Sequence, residues 1–419
     1  MTGSDIDTRR SDLLPAVPAG AAARVRAGVA FRLFRHAVAR LPLRIEFPDG
    51  EILGVGARAE PLPRMIIRDP DAFFTRLGSA GLIGFGESYT AGEWTAPDPA
   101  AVLTVLARRI TRLIPPTLQR LRHLVLPSRP EGEIGTMVNA RTNIEYHYDL
   151  SNELFALFLD ETMTYSAAMF DDPKTSTWDG LAQAQRRKID RLLDAAGVRA
   201  GTRVLEIGTG WGELCLRAAA RGACVHSVTL SAQQLELARA RVGAAGLDDA
   251  VDIELCDYRD VRGKFDAVVS VEMIEAVGHR HWPAYFRCLN DRLAPGGTIA
   301  LQAITMPHDR MLATRDTYTW IQKYIFPGGF LPSVEAIEQT AGAAGLRVRD
   351  RYGFGEHYAQ TLRLWRDRFD THADAVAAIG FDVGFRRLWQ FYLAYSEAGF
   401  RSGYLDVAHI VLTRSEERP

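Results

Sequence analysis

The sequence predicts an α/β protein: a doubly wound, mostly parallel sheet with a helical lid, preceded by a small α+β N-terminal domain. Two observations predict the sheet. From about residue 139 onward, short apolar runs alternate with helical patterns, which is typical of parallel strands joined by right-handed crossovers. In addition, the apolar run Arg203–Ile207 leads into glycines at every second position and then into an alanine-rich helical segment. Together they indicate a Rossmann-like sheet.

The same alternation predicts the individual elements. We expect strands at Arg203–Ile207, Cys224–Thr229, Asp252–Cys256, Ala267–Val271, Thr298–Ala303 and Ala408–Thr413. We expect helices between them at Leu214–Ala220, Ala232–Ala245 and Trp282–Leu293. Two later helical blocks, Met311–Phe326 and Tyr358–Tyr395, are candidates to cover an apolar substrate pocket, with ordinary packing as the alternative.

The N-terminal part differs in composition. Residues 1–20 are polar and then rich in alanine and proline, so we expect disorder there. Residues 21–125 predict the small α+β domain, and the proline- and glycine-rich stretch 126–138 predicts a linker. Residues 139–419 then form the second domain.

Several elements are expected within the first domain. Ala21–Arg40 predicts a basic amphipathic helix, which suits an anionic lipid surface; a solvated arginine face is the alternative. The dipeptide Asp49-Gly50 between two apolar runs predicts a β-hairpin. Helices are expected near Asp71–Leu77 and Ala100–Leu113.

Composition narrows the class of protein. The chain is 47% hydrophobic and 24% charged with a net charge of −1, so no global field favours nucleic acid. Four cysteines without a C-x-x-C pair predict neither a disulfide framework nor a metal site. No run approaches the roughly 18 apolar residues of a membrane span, and no secretory signal is evident. We expect a cytoplasmic protein, peripherally associated with the inner face of the membrane.

The glycine turn after the first strand of the sheet predicts the cofactor. Its pattern is E-x-G-x-G-x-G, formed by Glu206, Gly208, Gly210 and Gly212, and not the dinucleotide pattern G-x-G-x-x-G. Such glycines permit positive φ and bring the backbone close to a ligand. The acid on the strand is suited to an ammonium or hydroxyl group of a ligand that has no pyrophosphate. The combination indicates S-adenosylmethionine.

Polar residues follow the next strands. The second strand ends without an acid, so Gln234, with Thr229 lining the turn, is the candidate for the ribose hydroxyls. Asp257 and Tyr258 after the third strand suit adenine, with a turn or helix-cap role for Asp257 as the alternative. After the fourth strand, the segment V-E-M-I-E carries two carboxylates, and its second, Glu275, is expected near the transferred methyl group.

Five ordered motifs resemble the cyclopropane-fatty-acyl-phospholipid synthases. They are E-Y-H-Y-D-L-S-N-E-L-F with T-Y-S-A-A-M-F, E-I-G-T-G-W-G, V-T-L-S-x-x-Q, V-E-M-I-E-A-V-G and K-Y-I-F-P-G-G, and they cover about residue 139 to the C-terminus. The segment Gly84–Trp94 also resembles the lipid-associated N-terminal domain of the longer members.

The resemblance implies a reaction and a set of site residues. S-adenosylmethionine would methylate the cis double bond of a phospholipid acyl chain, and the resulting carbocation would lose a proton. The implied base is a bicarbonate ion held by Glu275, Ile304 and Tyr358; the family's cysteine and histidine ligands fall on Ala167 and Gln302, two departures that weaken this site. The implied cofactor contacts are Tyr165, Ser166, Gly208, Gly210, Thr229, Gln234 and Tyr258.

The local sequence is similar to the branch that makes 10-methylene fatty acids, which a partner oxidoreductase reduces to a 10-methyl branch. In that branch a glutamate precedes the H-Y-D motif; here it is Glu145, and Tyr148 lies in the motif. After methylation, a hydride shift and loss of a methyl proton would leave an exocyclic methylene. Glu145 and Glu275 are the candidate bases or cation-stabilising groups.

Three alternatives stay open: a cyclopropane-forming enzyme, a methyltransferase for a soluble amine or hydroxyl, and a non-catalytic binder of S-adenosylmethionine. A group of aromatic residues argues against a polar acceptor pocket: Trp320, Phe326, Phe330, Trp365 and Trp389. The intact glycine motif together with Glu275 and Tyr358 argues against a non-catalytic binder. The predicted partner is a membrane phospholipid and not a nucleic acid, and a homo-oligomer is left open.

Overall fold

The computed structural model describes residues 14–56, 62–113 and 151–415. These residues form two compact units. The first contains the described residues up to 113 together with Asp316–Ile325 and Trp365–Tyr404, and the second contains the other described residues from 151 onward. Whereas the sequence predicts one continuous domain from residue 139 to the end, these two later segments belong with the N-terminal residues.

The first unit begins with short strands and helices. Its strands are Arg44–Glu46 (β1), Ile52–Leu53 (β2), Arg64–Ile67 (β3) and Trp94–Thr95 (β4), in the spatial order β2-β1-β3-β4. Its N-terminal helices are Ala21–Val38 (α1), Pro70–Ala80 (α2), Leu82–Ala91 (α3) and Pro99–Leu113 (α4). The antiparallel pairing of β1 with β2 confirms the predicted hairpin.

The chain from residue 152 onward is built around strands and helices in alternation. The helices are Asn152–Ala156 (α5), Leu181–Ala195 (α6), Glu213–Ala220 (α7), Ala232–Ala244 (α8), Ile274–Val277 (α9), Trp282–Arg292 (α10), His308–Thr314 (α11), Trp320–Tyr324 (α12), Val334–Ala343 (α13), Gly355–Thr371 (α14), Ala373–Ala378 (α15) and Val383–Arg401 (α16). The strands are Arg203–Ile207 (β5), Cys224–Thr229 (β6), Val251–Leu255 (β7), Phe265–Val271 (β8), Leu293–Thr305 (β9), Leu346–Gly353 (β10) and Asp406–Arg414 (β11).

These seven strands form the sheet of the second unit in the spatial order β7-β6-β5-β8-β9-β11-β10. Strands β5 to β9 are parallel, and β11 runs antiparallel to both of its neighbours. The predicted fold class is confirmed. Because the order reverses beside β5, the carboxyl ends of β5, β6 and β8 meet at the edge where ligands bind in such sheets.

Apolar side chains cover both faces of this sheet. On β8, Val268 packs into one core while Ala267 and Val269 pack into the other. Helices α10 and α13 cover the first face, and α6, α7 and α8 cover the second. Burial on both faces explains why the central strands are almost continuously apolar and were predictable from the sequence.

Aromatic packing ties the later segments to the first unit. The ring of Phe391 lies 4.7 Å from that of Trp320 and 5.3 Å from that of Tyr89. A Cβ at Gly86 would lie 2.5 Å from the Trp320 ring, so this helix position requires glycine. Trp365 and Trp389 are also buried in this unit.

Candidate active site

The turn after β5 carries the three predicted glycines. All have positive φ: 96° at Gly208, 54° at Gly210 and 91° at Gly212. A Cβ at Gly208 would lie 2.7 Å from Cγ of Met273, and one at Gly212 would lie 3.1 Å from Cβ of Ala238. Within the described residues, no atom lies within 4 Å of a Cβ placed on Gly210. The first and third glycines therefore allow close packing, and the second leaves backbone accessible to a ligand.

Glu206 precedes this turn and is buried within the sheet. Its Oε2 accepts a hydrogen bond of 2.6 Å from the Ser227 hydroxyl on β6, and that hydroxyl lies 2.7 Å from the Thr209 hydroxyl. Burial raises the pKa of Glu206 to about 8, and the bond from Ser227 only partly offsets this effect. The carboxyl group is therefore held by neutral hydroxyls, and a cationic ligand beside it would favour its ionised form.

The ends of β6 and β7 place the other predicted cofactor residues. The Thr229 hydroxyl donates to Oε1 of Gln234 at 3.0 Å and thereby orients the amide. Asp257 accepts two side-chain hydrogen bonds from Arg259, at 2.8 and 2.6 Å. Burial raises the pKa of Asp257, but the bonds from Arg259 outweigh it, so the net pKa is lowered. Tyr258 is buried beside this pair.

The turn after β8 presents Glu272, which has a positive φ of 51°. Three donors converge on its carboxylate. The backbone N–H of Ala167 (3.1 Å) and Nε2 of Gln302 (2.8 Å) donate to Oε1, and the Tyr358 hydroxyl donates to Oε2 at 2.8 Å. Burial raises the pKa of Glu272, while these donors and the nearby Lys188 favour its ionised form.

Glu275 lies one helical turn further on, in α9, and is 9% exposed. Its Oε1 accepts from the backbone N–H of Ile304 at 2.5 Å, whereas Oε2 is buried and has no hydrogen-bond partner within the described residues. Burial, and secondarily the charge of Glu272, raise the pKa of Glu275 to about 8. Glu272, which accepts from three donors, is therefore better stabilised as an anion than Glu275, which accepts from one.

A second layer fixes the amide of Gln302. Its Oε1 lies 3.0 Å from Nε2 of His409, whose Nδ1 lies 3.2 Å from a guanidinium nitrogen of Arg191. Because Arg191 can only donate, Nδ1 accepts and Nε2–H donates to Gln302. Burial, with Lys188 and Arg191 nearby, keeps the pKa of His409 well below its ordinary value, so the ring is neutral. The amide nitrogen of Gln302 is thereby directed to Glu272.

Lys188 of α6 lies fully buried beside the segment 164–167. Its Nζ donates to the Ser166 hydroxyl at 2.6 Å, and the Ser166 carbonyl accepts from Nε2 of Gln185 at 2.9 Å. Burial lowers the pKa of Lys188 to about 8, against the opposing influence of Glu272 and other carboxylates. Ser166 is thus committed to these contacts, while Tyr165 is half-buried against Phe155.

The structure brings several predicted site residues together, and two further ones are not among the residues that it describes. Gln302 and Tyr358 donate to Glu272, and the backbone N–H of Ile304 donates to Glu275; these two hydrogen-bonded groups form a cluster of acids and their donors at the end of β8. Glu145 and Tyr148 lie outside the described residues. Sequence reasoning did not assign a role to three members of the cluster: Glu272, Lys188 and His409. Of these three residues, only Glu272 could have been found from the sequence, through its spacing from Glu275.

The sequence of the chain is similar to those of known proteins. Residues 136–410 match the family of the mycolic acid cyclopropane synthetases. The chain is 57% identical over 414 residues to the tuberculostearic acid methyltransferase UfaA1 of Mycobacterium tuberculosis, covering 98% of this chain and 96% of that protein. The chain belongs to the mycolic acid cyclopropane synthetase family.

Two further members of the family are also similar to this chain. The cyclopropane-fatty-acyl-phospholipid synthase of Escherichia coli K12 is 33% identical over 357 residues, covering 84% of this chain and 88% of that protein. The crystal structure of the mycolic acid cyclopropane synthase CmaA1 with SAH and CTAB has a TM-score of 0.60 at 29% identity, covering 68% and 98% of the two chains. The predicted resemblance is confirmed, and the chain is an S-adenosylmethionine-dependent methyltransferase.

The two ligands implied by the family differ in how well they fit. The accessible backbone at Gly210 and the buried carboxyl of Glu206 suit S-adenosylmethionine. Bicarbonate does not fit: the donors at Ala167, Gln302 and Tyr358 are used by Glu272, and the Ile304 N–H is used by Glu275. The carboxylate of Glu272 thus uses the donors at three of the positions that the resemblance implies for bicarbonate.

Within the described residues, no helix combines the length and apolar character needed to cross a bilayer. Nor do these residues bring together three or more side chains suited to bind a metal ion.

Proposed function

We propose that the enzyme transfers the methyl group of S-adenosylmethionine to the cis double bond of an oleoyl-type phospholipid chain and yields a 10-methylene product. The support is the 57% identity to a tuberculostearic acid methyltransferase, together with the cluster of acids at the end of β8. When bound, S-adenosylmethionine supplies an electrophilic methyl group. Among the described residues, those at the ends of β5, β6 and β7, with Tyr165, would hold it.

The acid cluster carries the chemical part of this proposal. An alkene that accepts a methyl group becomes a carbocation, and a nearby anion stabilises that charge. Glu272 supplies a half-buried carboxylate held by three donors, and Glu275 supplies a second carboxyl whose Oε2 is unpartnered within the described residues.

Ring closure at the same double bond is the competing outcome, because the E. coli relative is a cyclopropane synthase. Both products follow from the same first cation and differ only in which bond forms on loss of the proton. The higher identity to the tuberculostearic acid enzyme favours the methylene. A reductase that converts the methylene into a methyl branch would then be the partner oxidoreductase.

The decisive experiment is incubation with S-adenosylmethionine and vesicles of an oleoyl phospholipid, followed by proton NMR of the released fatty acid. Mass alone does not distinguish the products, because both add one CH2. Vinylidene protons are expected. Upfield cyclopropane protons would replace the proposed product with the ring, and absence of any lipid product would favour a soluble acceptor.

We also propose that helix α1 docks the cytoplasmic enzyme on the inner, anionic face of the membrane. Val25, Val29 and Leu33 lie four residues apart on one face of the helix, with 68%, 51% and 47% of their surface exposed. Exposed Arg26 and Arg32 accompany them. An apolar face flanked by cations is typical of helices that lie in the headgroup region of a bilayer.

Co-sedimentation with vesicles tests this docking. The triple variant Val25→Ser/Val29→Ser/Leu33→Ser should lose binding to vesicles that contain phosphatidylglycerol and keep its activity on detergent-dispersed lipid. Val383→Ser is the control, because Val383 is a similarly exposed valine on α16 (54%). Unchanged sedimentation of the triple variant would show that α1 is not the docking element.

A further inference from the structure

Glu272 stands out by its backbone conformation. Among the described residues, only Ser151, Met163 and Glu272 combine a side chain with positive φ. For a residue other than glycine this region is strained, and such strain concentrates at functional sites. The conformation places the Glu272 carboxylate against Ala167, Gln302 and Tyr358. The protein therefore has a glutamate at a position whose backbone conformation favours glycine.

The donors around Glu272 coincide with those expected for the bicarbonate base. The resemblance allots bicarbonate contacts to the positions of Ala167, Gln302 and Tyr358, and each of these donates to Glu272 at 3.1 Å or less. A carboxylate and a bicarbonate ion are both planar, carry one negative charge and present two accepting oxygens. The Glu272 side chain thus supplies, as part of the protein, the anion that the resemblance implies other members bind from solution.

We propose that Glu272 is the general base of the reaction, a built-in carboxylate that replaces the bicarbonate ion. The proposal rests on the proposed function. Methyl transfer breaks the S–CH3 bond and forms a C–C bond at one alkene carbon, leaving the adjacent carbon cationic. A hydride then moves from the methylated carbon to its neighbour, and the charge moves the opposite way. Glu272 takes a proton from the new methyl group, whose C–H electron pair becomes the exocyclic double bond.

The surroundings of Glu272 support an ionised base. Lys188 of α6 and Tyr358 of α14 favour the anion, and neutral His409 of β11 orients the donor Gln302. Glu275 of α9 opposes ionisation of Glu272, and its own carboxyl holds a proton at neutral pH. Glu272 is therefore the member of the pair that its surroundings stabilise better as an anion. Its proton returns to solvent after each turnover.

The test uses Glu272→Gly in the full-length enzyme. Because φ at this position suits glycine, the variant should fold and bind S-adenosylmethionine with unchanged affinity. Formation of the methylene product should fall about 100-fold or more, as expected when a positioned base is removed. Added bicarbonate or formate, at constant ionic strength, should restore activity in a saturable manner.

Matched variants make the test specific. Glu272→Gln keeps the shape without the basicity and fills the anion site, so it should be inactive and should not respond to formate. Glu338→Gln, at an exposed position of α13, should behave as wild type. Wild type should be equally active in bicarbonate-depleted buffer. If the glycine variant failed to fold, the glutamine variant would still test the role of the carboxylate.

Several results would overturn the proposal: full activity of Glu272→Gly without added anion, or dependence of wild type on bicarbonate. Rescue of Glu145→Ala or Glu275→Ala by formate, with none for Glu272→Gly, would assign the base to that residue instead. If wild type made no product from an oleoyl phospholipid, the proposed function would fail first, so the two failures are distinguishable.

Discussion

The hydroxyl of Tyr358 on α14 donates to Oε2 of Glu272 at 2.8 Å and so joins the helix to the turn after β8. This bond stabilises the ionised carboxylate more than the protonated one, since only the anion is a strong acceptor at both oxygens. It therefore links the position of α14 to the protonation state of the acid cluster.

Removing that hydroxyl should weaken the base and change its titration. In Tyr358→Phe we expect kcat/KM to fall about 10- to 100-fold, corresponding to loss of one hydrogen bond to a charged group. Without the donor the pKa of Glu272 rises further, so the ascending limb of the pH–rate profile should move to higher pH. Profiles of methyl transfer measure both effects, with Tyr352→Phe, an exposed tyrosine on β10, as the control. A loss of rate without a shift of the profile would mean that Tyr358 contacts substrate only.

The buried pair of Gln302 and His409 makes a prediction about stability. Gln302→Leu leaves the Nε2–H of His409 without an acceptor, and an unsatisfied buried donor costs about 1–3 kcal/mol of the free energy of unfolding. The double variant Gln302→Leu/His409→Phe removes both groups and should regain part of that stability. Activity should stay low in both, because Glu272 has lost a donor. Urea unfolding and product assays separate the effects. Equal stability of the single and double variants would contradict this account.

The sequence predicted the central strands well but missed the edge strand β10. Strands β5 and β6 match their predicted bounds because both faces of the sheet are buried, which makes their apolar runs distinctive. Strand β10, at the edge, was missed since Arg347, Arg349 and Arg351 break the apolar pattern, and solvent at an edge tolerates charge.

The candidate site shows the same division. The glycine turn and Glu275 carry local sequence signals, whereas the role of Glu272 depends on three donors that are distant in sequence. Ala167 in particular contributes a backbone N–H, which no side-chain pattern reveals. The sequence showed that the cysteine and histidine ligands are replaced by Ala167 and Gln302. It did not show that the carboxylate of Glu272 compensates for them.

The raised pKa of Glu275 predicts a pH-dependent stability. Its pKa is about 8 in the folded enzyme against an ordinary 4.5, so the folded state holds this proton more tightly than the unfolded chain. Wild type should therefore lose stability as pH rises from 4.5 to 8. Glu275→Gln lacks this loss, and its stability relative to wild type should increase by a few kcal/mol, at most about 5, between pH 5 and pH 9. Urea unfolding at both pH values measures the difference, and a constant difference would show that Glu275 is ionised throughout.

Gly210 permits a test of the cofactor turn that separates binding from folding. Its φ is 54°, and a Cβ there would meet no atom of the described residues within 4 Å. Gly246, with φ of 66° after α8, is equally open in the described part of the chain. Alanine at either position should therefore cost a similar 1 kcal/mol or so of stability, from backbone strain alone.

Only Gly210 lies where the sequence pattern places the cofactor. Gly210→Ala should weaken binding of S-adenosylhomocysteine about tenfold or more, because the added methyl lies where ligand must approach the backbone. Gly246→Ala should bind it as wild type does. Isothermal titration calorimetry gives the affinities and thermal unfolding gives the matched loss of stability. Equal affinities in the two variants would remove the turn after β5 from the binding site, since their folding costs are the same.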